Sequence, residues 1–431
     1  MKPILDMLKN YIFSNSARFH MPGHKGVSSE KLFENVFPCD ITELDFSDNL
    51  LHPDGVIQQS QSYCASLWNA ENCFFVTCGA TAGVLSLVFA AEGAVLAERA
   101  SHVSLFNGLS LSGKKTYLLN NRLSDGRFLP VSANDVEFAL DKNPDIKTVF
   151  LTSPNYYGKC CDLKKIADVC KNRGAKLFVD SAHGAHFAFS SLLPECAAVY
   201  ADACVVSAHK TMPALTQAAA VLCKAEAAEK IKNFLNIFNS SSPSYPIMAS
   251  IEYACGEFEK IKLNGADKKL FDLIEKLKKS AGHVTFENND DFTRIVAKVG
   301  DGEKAFEFLK SKGIFCEFFD VNRVVAIVSL AEKEGNIKRL FEAFAQMPCF
   351  ETKRGADIVF EKVTQADFSD RGKSVYLPLN EAEGKICAES AGLYPPCVPL
   401  FVKGEKIHDA EKLFCQKDTF GLKDGKIKVW L

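Results

Sequence analysis

The sequence predicts an α/β fold in which helices cover a mainly parallel sheet. Short apolar runs recur between residues 73 and 207, and longer stretches with helical periodicity separate them. A smaller α/β region follows at 291–350, with the order strand, helix, strand, strand, helix. The predicted strands of the larger part are CFFVT (73–77), GAVLAE (93–98), KTVFLT (147–152), AKLFVD (175–180) and ACVVS (203–207).

The 431 residues suggest two or three domains. We predict an irregular N-terminal segment at 1–60, a large domain at 61–280 and a small α/β domain at 281–431. The last 80 residues or so are predicted to be rich in turns and poor in strands. A helix over DLKKIADVCKNRG is predicted to end at Gly174, and a helical connector is predicted at about 246–280.

Charge and cysteine content exclude several classes of protein. The 51 Lys+Arg balance 53 Asp+Glu, so there is no basic stripe for nucleic acid and no polybasic patch for a membrane. The N-terminus has no export signal, and we expect a cytoplasmic protein. The sixteen cysteines contain no C-x-x-C motif and stand mostly in apolar runs, which predicts reduced, buried thiols and no metal site.

Polar residues follow two of the predicted strands, at the edge where open α/β sheets bind ligands. AKLFVD ends on Asp180, and ACVVS is followed by Ala208-His209-Lys210. An ion pair at the sheet edge and a chemical site both explain this acid and this lysine. The chemical site would suit pyridoxal 5′-phosphate, which needs a lysine for a Schiff base, a carboxylate at its ring nitrogen and a phosphate cradle. The glycine turn of TCGATAG (77–83) could supply that cradle, although such turns are common.

Further motifs extend this pattern along the chain: RFHMPGHKG (18–26), DITELDFSDNLLHPDGVI (40–57), TCGATAGV (77–84), LTSPNYYG (151–158), VDSAHGAHF (179–187), SAHKTMPALTQAA (207–219), SSSPSYPIMAS (240–250) and YPPCVP (394–399). On these motifs the chain resembles the Orn/Lys/Arg decarboxylases, pyridoxal-phosphate enzymes of the aspartate-aminotransferase fold (fold type I). It resembles a short form that lacks the N-terminal wing domain of the long members.

The resemblance implies that Lys210 forms the Schiff base, Asp180 pairs with the ring nitrogen and His102 stacks on the ring. His209 matches a position near the phosphate and is also a candidate acid for protonating the product carbon. Ser240 and Ser242 would reach the phosphate of a neighbouring subunit, so a homodimer or higher homo-oligomer with shared active sites is expected, with residues 1–60 packed on the active site and the dimer interface. The other implied cofactor-binding positions are Gly79, Ala80, Thr81, Ser207, His209 and His183, with His186 in support.

The activity implied by the resemblance is α-decarboxylation of arginine, lysine or ornithine, which yields agmatine or a diamine for polyamine biosynthesis. Ala80, Asn49 and Cys397 depart from the family pattern. Another enzyme of the same fold, such as an aminotransferase or lyase, remains an alternative, as does a cofactor-binding homologue with weak or no turnover. The acids that could meet the distal cation of the substrate, or could equally be surface residues or ion-pair partners, are Asp45, Asp48, Glu317 and Asp320.

Overall fold

The computed structural model of the protein describes residues 2–394, 397–414 and 419–431. The chain divides into two compact units. The first unit comprises Met1–Ala90, Ser181–Lys269 and Ser329–Ala331. The second unit comprises Ala91–Asp180, Leu270–Val328 and Glu332–Leu431.

The α-helices are α1 (Pro3–Phe13), α2 (Val56–Leu67), α3 (Gly79–Ala90), α4 (Val103–Ser112), α5 (Ala133–Lys142), α6 (Leu163–Asn172), α7 (Ala208–Thr211), α8 (Ala225–Phe238), α9 (Tyr245–Asn264), α10 (Ala266–Lys278), α11 (Gly302–Ser311), α12 (Glu334–Ala345) and α13 (Ala410–Leu413). Short 3₁₀ helices lie at Lys31–Phe33, Phe37–Cys39, Phe187–Phe189, Ala197–Val199 and Leu379–Glu381.

The strands are β1 (Asn72–Val76), β2 (Ala94–Glu98), β3 (Thr116–Leu119), β4 (Leu123–Ser124), β5 (Arg127–Phe128), β6 (Ile146–Thr152), β7 (Lys176–Asp180), β8 (Ala203–Val206), β9 (Ala219–Cys223), β10 (Thr285–Phe286), β11 (Arg294–Lys298), β12 (Phe318–Phe319), β13 (Arg323–Ile327), β14 (Val363–Ala366), β15 (Ser374–Pro378), β16 (Ala391–Leu393), β17 (Val398–Phe401), β18 (Thr419–Phe420), β19 (Leu422–Lys423) and β20 (Lys426–Trp430).

In the first unit, β9 lies between β1 and β8 and runs antiparallel to both. Helix α3 packs on this layer at a glycine. A Cβ atom at Gly83 would lie 2.3 Å from Val205 Cγ2 and 3.0 Å from Val221 Cγ2. Glycine therefore lets the helix approach β8 and β9 more closely than any side chain would.

In the second unit, β7, β6, β2 and β3 are neighbouring parallel strands, and β14 joins β3 in the antiparallel direction. All five residues of β2 are buried, as expected for a parallel strand covered on both faces. Helix α6 ends at Asn172, and Gly174 takes a left-handed conformation at φ +63°, which confirms the predicted stop. The predicted mainly parallel sheet with covering helices is confirmed.

The predicted α/β region at 291–350 is also confirmed in its order of elements. Strands β10, β11, β13 and β12 form an antiparallel sheet, and α11 and α12 follow β11 and β13 along the chain. The predicted helical stretch at 246–280 contains two helices, because Gly265 ends α9 in the left-handed conformation at φ +67°. The predicted domain boundaries at 60 and 280 stay a prediction.

The expectation that the final residues are poor in strands is wrong. Strands β14 to β20 lie between residues 363 and 430, and most of them form two small antiparallel sheets, β15-β20-β19 and β17-β16-β18. A core of small and branched side chains supports them: Ala382, Cys387, Ala391, Ile407, Ile427 and Val429. These strands have two to five residues, too few for alternation to be visible in the sequence.

Nine of the fifteen cysteines within the described ranges are buried, and none of these fifteen forms a disulfide. Cys415 lies outside the described residues. No helix in the described ranges is long and apolar enough to cross a membrane.

Candidate active site

Lys210 lies in the short turn that connects β8 and β9 in the first unit. Helix α7 forms this turn and holds the lysine half-buried. The Nζ atom lies 3.1 Å from Nε2 of His183, which is 5% exposed. A ring nitrogen can accept a hydrogen bond from an ammonium group only if it carries no proton. The contact therefore suits a lysine that can exchange its proton with a neutral imidazole.

His183 is held in place by the segment that follows β7. Ser181 N donates to Val205 O at 2.9 Å, so this segment pairs with β8. Two residues after His183, Ala185 O accepts a hydrogen bond from Trp68 Nε1 at 2.8 Å. His186 is 1% exposed and packs its ring against Phe187; its supporting role stays a prediction.

The two residues before β9 connect the lysine turn to the N-terminus of α3. Gln217 O accepts from Gly79 N at 3.0 Å. The next carbonyl, Ala218 O, accepts from His209 N at 3.3 Å and lies 3.0 Å from His209 Nδ1. Two adjacent residues thus hold the glycine turn and the lysine turn side by side.

The N-terminus of α3 is open to solvent. Gly79 has φ +78°, and a Cβ atom there would meet nothing within 4 Å. Ala80 is half-buried and Thr81 is exposed. The first amides of a helix have no partner within it and carry a partial positive charge. This turn can therefore receive an anion beside the lysine turn.

The pKa of His209 is lowered, first by burial and then by the nearby charge of Lys210. A neutral His209 therefore predominates near pH 7. The contact between His209 Nδ1 and Ala218 O fixes the position of His209, the residue directly before Lys210.

The second unit contains Asp180 and a carboxylate that the sequence analysis missed. Asp180 ends β7 and is 6% exposed, and Glu98 ends β2 and is 2% exposed. Thr152 ends β6 and stands opposite Asp180 in the register of the two strands. Its amide donates to Glu98 Oε2 at 2.7 Å, and Asn121 Nδ2 donates to Glu98 Oε1 at 2.6 Å.

Burial raises the pKa of Glu98 to about 7, and the charge of Asp180 adds to the rise. The signal that could have found this residue is an acid that ends a wholly apolar strand, which is also the feature that identified Asp180.

His102, also in the second unit, caps the N-terminus of α4. Its Nδ1 atom accepts from Ser104 N at 3.2 Å. The next amide, Val103 N, donates to Cys397 O at 2.9 Å. Cys397 has φ +59°, a conformation that glycine adopts at lower cost. Pro395 and Pro396 of the same motif lie outside the described residues.

Two of the four candidate acids for the substrate's distal cation, Asp48 and Asp320, already bind other groups of the protein. Asp48 Oδ2 accepts from backbone amides at the start of α2, such as Gly55 N at 2.8 Å and Ile57 N at 2.9 Å. Asp320 accepts from Tyr157 OH at 2.9 Å and pairs with Arg323.

Glu317 and Asp45 are the exposed members of this set, and Glu317 Oε1 lies 3.4 Å from the hydroxyl of Tyr156. Asn49, which departs from the family pattern, accepts from Leu51 N at 2.8 Å and so stabilises the local turn.

Ser240 and Ser242 are exposed in the first unit. Ser242 N donates to Ser240 Oγ at 3.1 Å, and the hydroxyl of Ser240 donates to Ser242 O at 3.3 Å. Their described contacts form a local surface turn before α9.

Comparison with known proteins decides the family. The Orn/Lys/Arg decarboxylase major-domain profile matches residues 2–312, which is more than half of the chain. The chain belongs to the Orn/Lys/Arg decarboxylase family. The C-terminal domain profile of the same family matches residues 344–416.

Relatives of this decarboxylase extend over nearly its whole length. The uncharacterised protein YaaO of Bacillus subtilis is 30% identical, with 94% of this chain and 92% of that protein covered. An arginine decarboxylase of the same organism is 25% identical, with 94% and 91% covered. The chain is an amino-acid decarboxylase, and its cofactor is pyridoxal phosphate.

Solved structures agree on the fold. Lysine decarboxylases of Francisella novicida and Pseudomonas aeruginosa superpose with TM-scores of 0.80 and 0.82 at 17% and 15% identity. Each comparison covers all of this chain and 81% or 80% of the other chain. This confirms fold type I.

The residues of the lysine turn fit the cofactor. Ser207 Oγ is fully buried and finds no hydrogen-bond partner among the described residues. Thr211 Oγ1 is also buried and has no hydrogen-bond partner among the described residues. Buried hydroxyls without partners cost free energy, and a phosphate that accepted hydrogen bonds from them would recover it.

Proposed function

We propose that this decarboxylase removes the α-carboxylate of a basic amino acid. Pyridoxal phosphate supplies the electron sink for the pair of electrons left when CO₂ departs. Lys210 would hold the cofactor, and the amides of α3, Thr81 and Ser207 would bind its phosphate. The observation that carries the proposal is the 3.1 Å contact between Lys210 and His183, next to the open helix N-terminus.

The proposal assigns the remaining roles by residue. Asp180 would hold a proton at the ring nitrogen, and His102 would cover the ring face. A neutral His183 could take a proton from Lys210 when the substrate amine arrives and return it when the product leaves. The lowered pKa of His209 favours a role in bracing the lysine turn over a role as the acid.

Glu317 is the acid that we propose for the distal cation of the substrate. Tyr156, which meets its carboxylate, lines a cavity in the second unit together with Ala100, Leu393 and Val398. The apolar wall suits an aliphatic chain, and the exposed carboxylate suits an ammonium or guanidinium group. We expect Glu317→Gln to raise KM several-fold with little change in kcat. An unchanged KM would remove Glu317 from the site.

Product analysis tests the proposed function. The protein with added cofactor is incubated with arginine, lysine or ornithine, and the products are identified by mass spectrometry, with Lys210→Ala as the blank. Arginine is the first substrate to test because the matched relatives of Bacillus anthracis and Bacillus cereus are arginine decarboxylases. Agmatine or a diamine, both polyamine precursors, supports the proposal. A keto acid would indicate an aminotransferase. Bound cofactor without any product would indicate a homologue that does not turn over.

We further propose a homodimer in which Ser240 and Ser242 serve the partner's phosphate, with residues 1–60 at the interface. Exposed hydroxyls in a tight turn suit an anion brought by a second chain. Mixing the Lys210→Ala chain with a Ser240→Ala/Ser242→Ala chain should restore activity, because one site of each hybrid then draws on two intact halves. Verified subunit exchange without recovery would mean that each chain completes its own site.

A further inference from the structure

Glu98 is a second buried carboxylate at the sheet edge that ends with Asp180. The strands β2, β6 and β7 are neighbours and run parallel, so their last residues lie along one edge. These residues are Glu98, Thr152 and Asp180. Glu98 Oε2 accepts from the amide of Thr152, the residue opposite Asp180. One hydrogen bond thus connects Glu98 to the backbone that positions Asp180.

No lysine or arginine in the described part of the chain forms an ion pair with Glu98. The groups that face it are Asn121 Nδ2 at 2.6 Å, the Thr152 amide, the thiol of Cys161 and the carboxylate of Asp180. The adjacent Arg99 is engaged elsewhere, with Asn120 and Glu405. The only charged side chain among these neighbours of Glu98 is therefore the carboxylate of Asp180, of like sign.

We propose that Glu98 is a positioning residue for Asp180. Its carboxylate fixes the end of β6 beside Asp180, and its negative charge helps Asp180 to keep a proton on the cofactor ring nitrogen. The inference rests on the role proposed for Asp180. A carboxylate with no cation beside it in a buried edge is costly. A positive charge on the ring nitrogen, next to Asp180, would offset that cost.

The first measurement uses the protein without cofactor. The pKa of Glu98 in the folded chain is about 7, above the ordinary value of 4.5. Its contribution to stability is therefore fully present below about pH 4.5 and is lost as pH rises through 7. The thermal unfolding temperature of the wild type should fall for this reason between pH 5 and 8. In Glu98→Gln this pH dependence should be weaker. Glu92→Gln, on the exposed residue two positions before β2, is the matched control and should leave the wild-type slope unchanged.

The second measurement follows the visible absorbance of the lysine-bound cofactor against pH. Glu98→Gln should lower the midpoint of this absorbance change by about one pH unit, because it removes a negative charge close to the positively charged cofactor. It should also lower kcat about tenfold with little change in KM. Glu98→Asp keeps the charge and should retain most of the wild-type midpoint. Asn121→Ala keeps the carboxylate and removes one hydrogen bond that lowers the pKa of Glu98, so it should shift the midpoint less than Glu98→Gln does.

The outcomes separate this inference from the proposed function. If Asp180→Asn shifts the absorbance midpoint and Glu98→Gln does not, Glu98 only packs and the inference is wrong. If Asn121→Ala and Glu98→Gln act alike, the hydrogen bond matters and the charge does not, which also overturns it. If the wild type shows no lysine-bound absorbance, the proposed function fails, and the role of Glu98 fails with it.

Discussion

The lysine turn of the first unit and the carboxylate edge of the second unit treat their buried polar groups in opposite ways. Around Lys210, the hydroxyls of Ser207 and Thr211 are buried without partners in the described chain. At the carboxylate edge, both oxygens of Glu98 accept hydrogen bonds from the protein. The first region has donors to offer to a ligand, whereas Glu98 in the second region has both of its acceptor oxygens occupied.

The difference reflects what each region has to do. A buried hydroxyl without a partner costs about 1–3 kcal/mol, and a ligand that supplies an acceptor recovers this free energy. Two hydrogen bonds hold the Glu98 carboxylate in a fixed place, where its charge, when it is ionised, can stabilise a positively charged ring. Substitutions in the two regions should therefore have different signatures.

The largest expected effect is that of Lys210→Ala. Loss of the covalent attachment and of the proton carrier should lower turnover by roughly 10³-fold or more, about 4 kcal/mol of barrier. Decarboxylation assays with excess cofactor measure it. Lys230→Ala, on the exposed side of α8, is the control and should keep full activity. Turnover within tenfold of the wild type in Lys210→Ala would contradict the role of this lysine.

Asp180→Asn comes next. The substitution keeps the shape and removes the charge that holds the ring proton. We expect retained cofactor and a loss of roughly 10²-fold in turnover, about 3 kcal/mol. Steady-state kinetics and absorbance of the bound cofactor measure both. Wild-type turnover would show that the acid is structural.

Parts of this comparison could be predicted from the sequence. Asp180 and Lys210 could be predicted as site residues because each follows a strongly apolar run, AKLFV and ACVV. Glu98 ends a similar run but stood next to Arg99, and such a pair is usually a solvated strand end. Its burial depends on Asn121 and Thr152, which are far from it in sequence.

The tail was not predictable for a related reason. Strand β15 pairs with β20, about fifty residues later, and its sequence SVYLP does not alternate between apolar and polar residues. Strand β20 (KIKVW) alternates, but over only five residues. Strand β9 was missed because its short apolar run AAVLC directly continues the lysine motif SAHKTMPALTQAA. The local sequence pattern of a strand cannot show which distant strand it pairs with.

Ser207→Ala should have a smaller effect, confined to the ligand-bound protein. Without cofactor, loss of a hydroxyl that has no partner should change the free energy of unfolding by less than about 0.5 kcal/mol. Cofactor affinity should fall roughly tenfold, about 1.4 kcal/mol. Denaturant unfolding of the apoprotein and cofactor titration measure the two.

Ser190→Ala is the matched comparison for Ser207→Ala. Ser190 Oγ donates to the buried Asp267 carboxylate at 2.7 Å. Its loss should destabilise the apoprotein by about 1–3 kcal/mol. If both serine variants lose stability equally without cofactor, the hydroxyl of Ser207 has a protein partner and the contrast between the two regions weakens.

The smallest expected effect is at Cys397, beside the His102 cap. Cys397→Gly should stabilise the protein by up to about 1 kcal/mol, because glycine adopts φ +59° without strain. Cys349→Gly, at an exposed position without positive φ, should stabilise nothing. Denaturant midpoints compare the two variants. A less stable Cys397→Gly variant would mean that contacts of the Cys397 side chain stabilise the protein by more than the positive φ costs.

Cofactor attachment to Lys210 is tested most directly by reduction with borohydride followed by peptide mapping. Borohydride converts the bond between lysine and cofactor into a stable amine, and mass spectrometry of the digest locates it. The mass of the reduced cofactor should appear on the peptide that contains SAHKTMPALTQ, at Lys210. An adduct on another lysine, or none in protein that has bound the cofactor, would contradict the assignment of the lysine turn as the catalytic centre.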